Sequence, residues 1–97
     1  MVKVLVDDVV IAESDDTLMV EGNHYFPPEA VKKEFLKKTD LQTVCHWKGP
    51  ASYYNIEVNG KKLENAAWYY PEPTTDQAQP LKDYVAFYPN QVTIQST

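Results

Sequence analysis

A thiol, an imidazole and a lysine stand together in Cys45-His46-Trp47-Lys48-Gly49, followed by the aromatic blocks Ala51-Ser52-Tyr53-Tyr54 and Ala66-Ala67-Trp68-Tyr69-Tyr70-Pro71. Both tryptophans and four of the seven tyrosines lie between Trp47 and Tyr70. Such rings can wall a small-molecule pocket, because they stack on flat ligands while tyrosine adds a hydroxyl at the mouth. Lys48 is expected to be desolvated by its aromatic neighbours, which lowers an ammonium's pKa and suits it to act as a base or nucleophile. The plainer alternative is a cation stacked on a tryptophan face or paired with Glu57 or Glu72.

Cys45 beside His46 suggests a nucleophile and its base. On a strand, however, successive side chains point to opposite faces, which puts Cys45 with Trp47 and His46 with Lys48. His46 is then badly placed to activate the thiol, and His24 is left as a partner that the fold can supply. The plainer reading of Cys45 is a small buried hydrophobe. With no second cysteine, nothing is available to resolve a sulfenic acid or form an internal disulfide.

The elements that must position these residues are mainly strands. Val2–Val6 and Val9–Ala12 are β-branched runs joined by Asp7-Asp8, and Thr17–Glu21 is a third strand closed by Gly22-Asn23. One helix is expected over about 28–38, started by Pro27-Pro28 and supported by the Glu29–Lys33 and Glu34–Lys38 pairs, with Val31 and Phe35 as its apolar stripe. Strands follow at 42–47 and 52–58, then the Asn59-Gly60 hairpin turn, a partner strand at 65–70, an irregular proline-rich 71–80, a strand at 83–88 and an edge strand or tail at 92–95. Alternation sends Tyr54, Ile56 and Val58 into the core, with Tyr53, Asn55 and Glu57 opposite, and sets Trp68 and Tyr70 against Ala67 and Tyr69. If the Tyr53 and Trp68 faces converge, the product is an aromatic cleft with Lys48 and Glu57 beside it.

Ninety-seven residues with 43% hydrophobic content make one folded domain, 1–97. The net charge of −5 argues against nucleic acid as a partner. All nine basic residues are lysines, so the chain has no arginine fork for phosphate or carboxylate. No apolar run approaches the ~20 residues that span a bilayer, so no membrane insertion is expected. A single cysteine and a start without a signal-peptide pattern give a reducing cytoplasm as the expected compartment.

Six ordered blocks carry a family resemblance: Val10–Ser14, Glu21–Pro27, Val44–Gly49, Ala51–Tyr54, Ala66–Pro73 and Val85–Tyr88. Over about 4–88 the chain resembles the bacterial and fungal domain of unknown function 427 family, with 89–97 as edge strand or tail. The resemblance implies a mostly β domain of curved antiparallel sheets, in the β-tent or Mss4-like group. It implies a fold more than an activity. Where the family pattern usually has proline after the cysteine, this chain has His46, so His46 is not expected to carry family-wide chemistry.

Zinc in related folds is held by two separated cysteine pairs, whereas this chain has one thiol and two histidines, so no metal and no cofactor are expected. The family is sometimes catalogued under a nucleotidyltransferase-like label, which calls for carboxylates at acid-x-acid spacing around Mg²⁺ and a Gly-Ser turn. Asp7-Asp8 and Asp15-Asp16 are adjacent pairs at turns, Gly-Ser is absent, and the label is not adopted. The expected function is a binding module for a small planar or heterocyclic ligand, with Trp47, Lys48, Tyr53, Glu57, Trp68, Tyr70 and His24 as site residues. One alternative is an enzyme using Lys48 or Cys45, with Tyr53 or His24 moving the proton. The other is a protein-interaction domain, for which Val92–Ile94 is the visible free edge.

Overall fold

The computed structural model describes residues 1–97. Strands β1 (Val2–Val6) and β2 (Val9–Ser14) form a hairpin on Asp7-Asp8, both at positive φ, as a tight two-residue turn requires. The edge strand β9 (Thr93–Ser96) pairs with the other side of β1, giving a three-stranded sheet. Strands β3 (Leu18–Val20) and β4 (Asn23–Tyr25) make a separate two-stranded hairpin. Strands β5 (Leu36–Cys45), β6 (Gly49–Val58), β7 (Lys61–Tyr69) and β8 (Val85–Phe87) form a four-stranded antiparallel meander.

The four-stranded sheet separates two cores, and side-chain alternation decides which residue enters which. Tyr54, Ile56 and Val58 of β6 and Ala67 of β7 join Val4, Ile11, Phe26 and Phe87 in the main core against the β1 sheet. Tyr53, Trp68 and Tyr70 face the other way, into a second cluster with Tyr25, Leu81 and Ala86, which Leu18 and Val20 of β3 help to cover. Each large apolar side chain withdrawn from water in this way contributes about 1.5–3 kcal/mol. Phe26 and Phe87 meet edge to face at 5.7 Å, and Tyr54 stacks on Tyr69 at 4.6 Å.

Two bulges interrupt the central sheet and are tied to each other. Residues between Lys38 and Gln42 on β5, and between Leu63 and Ala67 on β7, exceed their partners on β6. Asn55 Oδ1 accepts from the Asn65 backbone N–H at 2.8 Å, and Thr39 Oγ1 donates to Asn65 Oδ1 at 2.8 Å. Asn65 takes φ 49°, which asparagine tolerates better than most residues. Each bulge bends its strand.

The helix expected over 28–38 does not form. Pro28–Ala30 and Lys33–Phe35 are single 3₁₀ turns, and β5 begins at Leu36. Two apolar residues, Val31 and Phe35, offer too little buried stripe to stabilise so short a helix. Sheet pairing takes the segment instead: Val31 bridges Ala12, Lys32 N–H donates to Ile11 O at 2.9 Å, and Leu36 pairs with Ile56. The proline-rich segment remains irregular up to a 3₁₀ turn at Asp76–Leu81, where the Thr75 hydroxyl caps Ala78 N–H.

Candidate functional site

Strand β5 stops at Cys45, and His46-Trp47-Lys48 turn the chain into β6 with Cys45 paired to Gly49. The expected strand through Trp47 would have put Lys48 and Cys45 on opposite faces. The turn instead brings Lys48 back beside Cys45, so the alternation argument fails at that point. Gly49 makes the turn feasible: it sits at φ 103°, and a β-carbon there would come within 2.9 Å of Glu72 O and 3.0 Å of Thr74 Cγ2. Thr75 fastens the same turn by donating to Trp47 O at 2.8 Å.

Lys48 is 4% exposed, the one charged side chain in the buried set. Its Nζ lies 4.6 Å from the Trp47 ring centroid and 5.6 Å from that of Tyr70, so two aromatic faces replace part of its water. Its carboxylate partner is Glu21, which hydrogen-bonds Nζ from the turn between β3 and β4; neither Glu57 nor Glu72 takes that role. Burial pulls the Lys48 ammonium down, but the Glu21 hydrogen bond, with Tyr25 and Cys45 adding to it, leaves it above its ordinary 10.5. The lowered pKa expected from the aromatic neighbours is therefore reversed, because desolvation meets a partnered charge. Lys48 is a fixed cation and a poor base.

Cys45 is half-buried. Burial raises its thiol, yet the backbone N–H groups of Trp47 and Lys48 and the Lys48 ammonium bring it below its ordinary 9.0. The thiol is thus the polarised group of this corner, and His46 is exposed on the turn. His24, half-buried on β4, pairs Nδ1 with Thr17 Oγ1 at 3.0 Å.

The remaining aromatics form a packed cluster. Trp68 Nε1 donates to Tyr25 Oη at 3.2 Å, with the two rings edge to face at 6.2 Å; Tyr70 lies 6.4 Å from Tyr25 and Tyr88 lies 4.5 Å from Trp68. Tyr53 shares a 2.8 Å hydrogen bond with Thr43. Tyr53, Trp68 and Tyr70 are all buried, whereas Trp47 is half-buried at the margin. The convergence of the Tyr53 and Trp68 faces expected from alternation is present, but the rings fill the space and no open cleft lies between them.

The two surface depressions lie elsewhere. One, about 500 Å³, is bordered by Glu34, Lys37, Glu57, Lys61 and Lys62 around the Asn59-Gly60 turn; the other, about 250 Å³, runs between Asp7 and Asn90–Thr93. Glu57 therefore belongs to the opposite end of β6 from Lys48, roughly 25 Å along the strand from Gly49. Sequence reasoning missed Glu21 and Tyr25 altogether. The signal available was a glutamate in a two-residue turn, where asparagine or glycine is usual.

The fold and this corner define a small, mostly β domain with a lysine buried under two aromatic rings beside a polarised thiol. The chain belongs to the family described as domain of unknown function DUF427, whose model matches residues 1–96. No curated protein matches it. No group of three or more His, Cys, Asp or Glu side chains is placed to hold a metal ion, and the acidic pairs Asp7-Asp8 and Asp15-Asp16 sit at the ends of strands.

Proposed function

We propose that this DUF427 domain is a binding module that takes a small planar or heterocyclic ring, nucleoside-like in shape, against Trp47 at the Cys45–Gly49 turn. The observation that carries this is Lys48: an ammonium held under the rings of Trp47 and Tyr70 costs desolvation that a purely structural residue would avoid. Trp47, half-buried at the turn, supplies the ring and Lys48 the orienting charge. Tyr70, Trp68, Tyr25 and Tyr53 are the rigid backing that keeps both in place, the arrangement a preorganised site needs. A cytoplasmic setting and a small-molecule partner, in place of nucleic acid, accompany this proposal. The test is a tryptophan-fluorescence titration against nucleosides and common heterocycles. Saturable binding that Trp47→Ala abolishes supports it, and unchanged affinity in a folded Trp47→Ala variant contradicts it.

One observation favours a second reading, an enzyme with Cys45 as nucleophile: a half-buried thiol faces two backbone N–H groups and a fixed ammonium. Lys48 would then stabilise the thiolate without taking a proton. This reading predicts that alkylation of Cys45 by iodoacetamide levels off below pH 9.0 and that Lys48→Met moves the inflection upward. A rate still climbing through pH 9.0 would exclude it.

A further inference from the structure

The ion pair at this corner joins two very different environments. The Lys48 side chain is 5% exposed and the Glu21 side chain 58%, so the carboxylate reaches the buried ammonium from the solvent side. Glu21 is delivered by the two-residue turn Glu21-Gly22, where it takes φ 53°, a conformation asparagine, aspartate and glycine adopt far more readily than glutamate. The local backbone therefore gives no reason for a glutamate at this position; its contact with Lys48 does. The turn is the tip of the β3–β4 hairpin, whose base is tied to the four-stranded sheet by the Phe26–Val85 bridge, while Glu21 and Gly22 themselves are exposed. A carboxylate on such a tip is the part of the site most easily exchanged for another anion.

Resting on the ring-binding reading above, we infer that Glu21 occupies the place of a ligand carboxylate, and that the ligand class is a flat heteroaromatic ring bearing a carboxylate. On binding, the ligand's carboxylate pairs with Lys48, its ring lies on Trp47, and Glu21 swings to solvent, where a charged side chain costs little. The exchange is nearly isoelectrostatic at the ammonium, which keeps a counter-ion throughout and is never left buried alone. Overall charge fits this division of labour: a chain at −5 repels anions generally, so an anionic ligand is accepted only where a buried cation awaits it.

The experiment uses the whole chain and a matched pair of probes, nicotinate and nicotinamide, which differ in the carboxylate. Tryptophan fluorescence and thermal shift are followed for wild type, Glu21→Gln and Lys48→Met. The wild type is expected to prefer nicotinate, Glu21→Gln to bind nicotinate about tenfold more tightly than wild type because the internal competitor is gone, and Lys48→Met to lose the preference. Amide NMR shifts of Glu21 and Gly22 in the wild type should saturate with nicotinate alone, which keeps the test decisive if Glu21→Gln folds poorly. Equal binding of both probes, or weaker nicotinate binding in Glu21→Gln, overturns the inference while leaving the ring site standing. Failure of nicotinate to bind either wild type or Glu21→Gln, with a nucleoside still shifting tryptophan emission, overturns it also. Failure of every ring compound removes the inference and the underlying site together.

Discussion

Lys48 and Glu21 lie on either side of a boundary between protein and water, and their substitution is expected to be asymmetric. Glu21→Gln leaves a buried ammonium without its counter-ion, whereas Lys48→Met leaves a carboxylate that water solvates readily. Glu21→Gln should therefore lower Tm more than Lys48→Met; the reverse order would show that the pair does not hold the corner. The pH dependence follows from the same contact. The Lys48 hydrogen bond and charge hold Glu21 below its ordinary 4.5, so this stabilisation is fully present above 4.5 and is lost as pH falls through the lower folded value. Lys48, raised above 10.5, contributes below that value and loses its contribution as pH rises through the folded one. Acid denaturation of wild type should accordingly be steeper below pH 4.5 than that of Glu21→Gln. Lys48 was legible as the unusual polar residue of the chain from its aromatic setting. Glu21 was not, because its partner lies 27 residues away and only the packing of a hairpin brings them together.

At the level of elements, the Cys45–Gly49 turn is held from outside by the proline-rich segment. Gly49→Ala forces a β-carbon onto Glu72 O at a φ that L-residues rarely adopt, and should destabilise by more than ~1 kcal/mol in chemical denaturation. Thr75→Val removes both the bond to Trp47 O and the cap on Ala78, with an expected loss of about 1 kcal/mol and a changed Trp47 emission. Unaltered stability in both variants would mean that the segment rests on the turn without fixing it. Strand alternation was readable wherever one face is apolar: Tyr54, Ile56 and Val58 went to one core and Tyr53, Trp68 and Tyr70 to the other, and Asn59-Gly60 marked its hairpin. The helix over 28–38 was misread because its charge pairs describe an isolated peptide, while pairing of Val31 with Ala12 and of Leu36 with Ile56 depends on strands remote in sequence. His46 and Trp47 were misread as strand for a similar reason. Nothing in Cys-His-Trp-Lys announces a turn, and the informative residue is Gly49, whose neighbours Glu72 and Thr74 appear only in the folded chain.

For the molecule as a whole, tyrosines buried in both cores link stability to alkaline pH. Burial, aided by the neighbouring Tyr69, raises Tyr54 to about 12; burial, with Tyr53 adding to it, raises Tyr88 to about 12; and burial raises Tyr70 as well. Unfolded tyrosines ionise near 10, so above that pH the unfolded chain sheds protons that the folded one keeps, and stability falls as pH rises from 10 toward 12. The tyrosinate absorbance of Tyr54, Tyr70 and Tyr88, isolated by difference from the corresponding Tyr→Phe variants, should therefore appear together with unfolding; titration of these three near 10 in an intact fold would contradict the double core. The molecule also exposes an edge that the sequence did not reveal. β5 is unpaired on its outer side with Val44 79% exposed, a second edge beside that of β9, which the free edge expected at Val92–Ile94 had marked. The bulge between Lys38 and Gln42, with lysines on that strand, blunts this edge against chance pairing. The proposed ring site is the margin where Trp47 and Cys45 are half-buried beside Lys48. The most direct test of that placement is a tryptophan-emission titration with heterocyclic ligands, comparing wild type with Trp47→Ala and with Trp68→Phe. Saturable binding lost in Trp47→Ala and kept in Trp68→Phe is the predicted result, and binding that survives Trp47→Ala in a folded protein would contradict it.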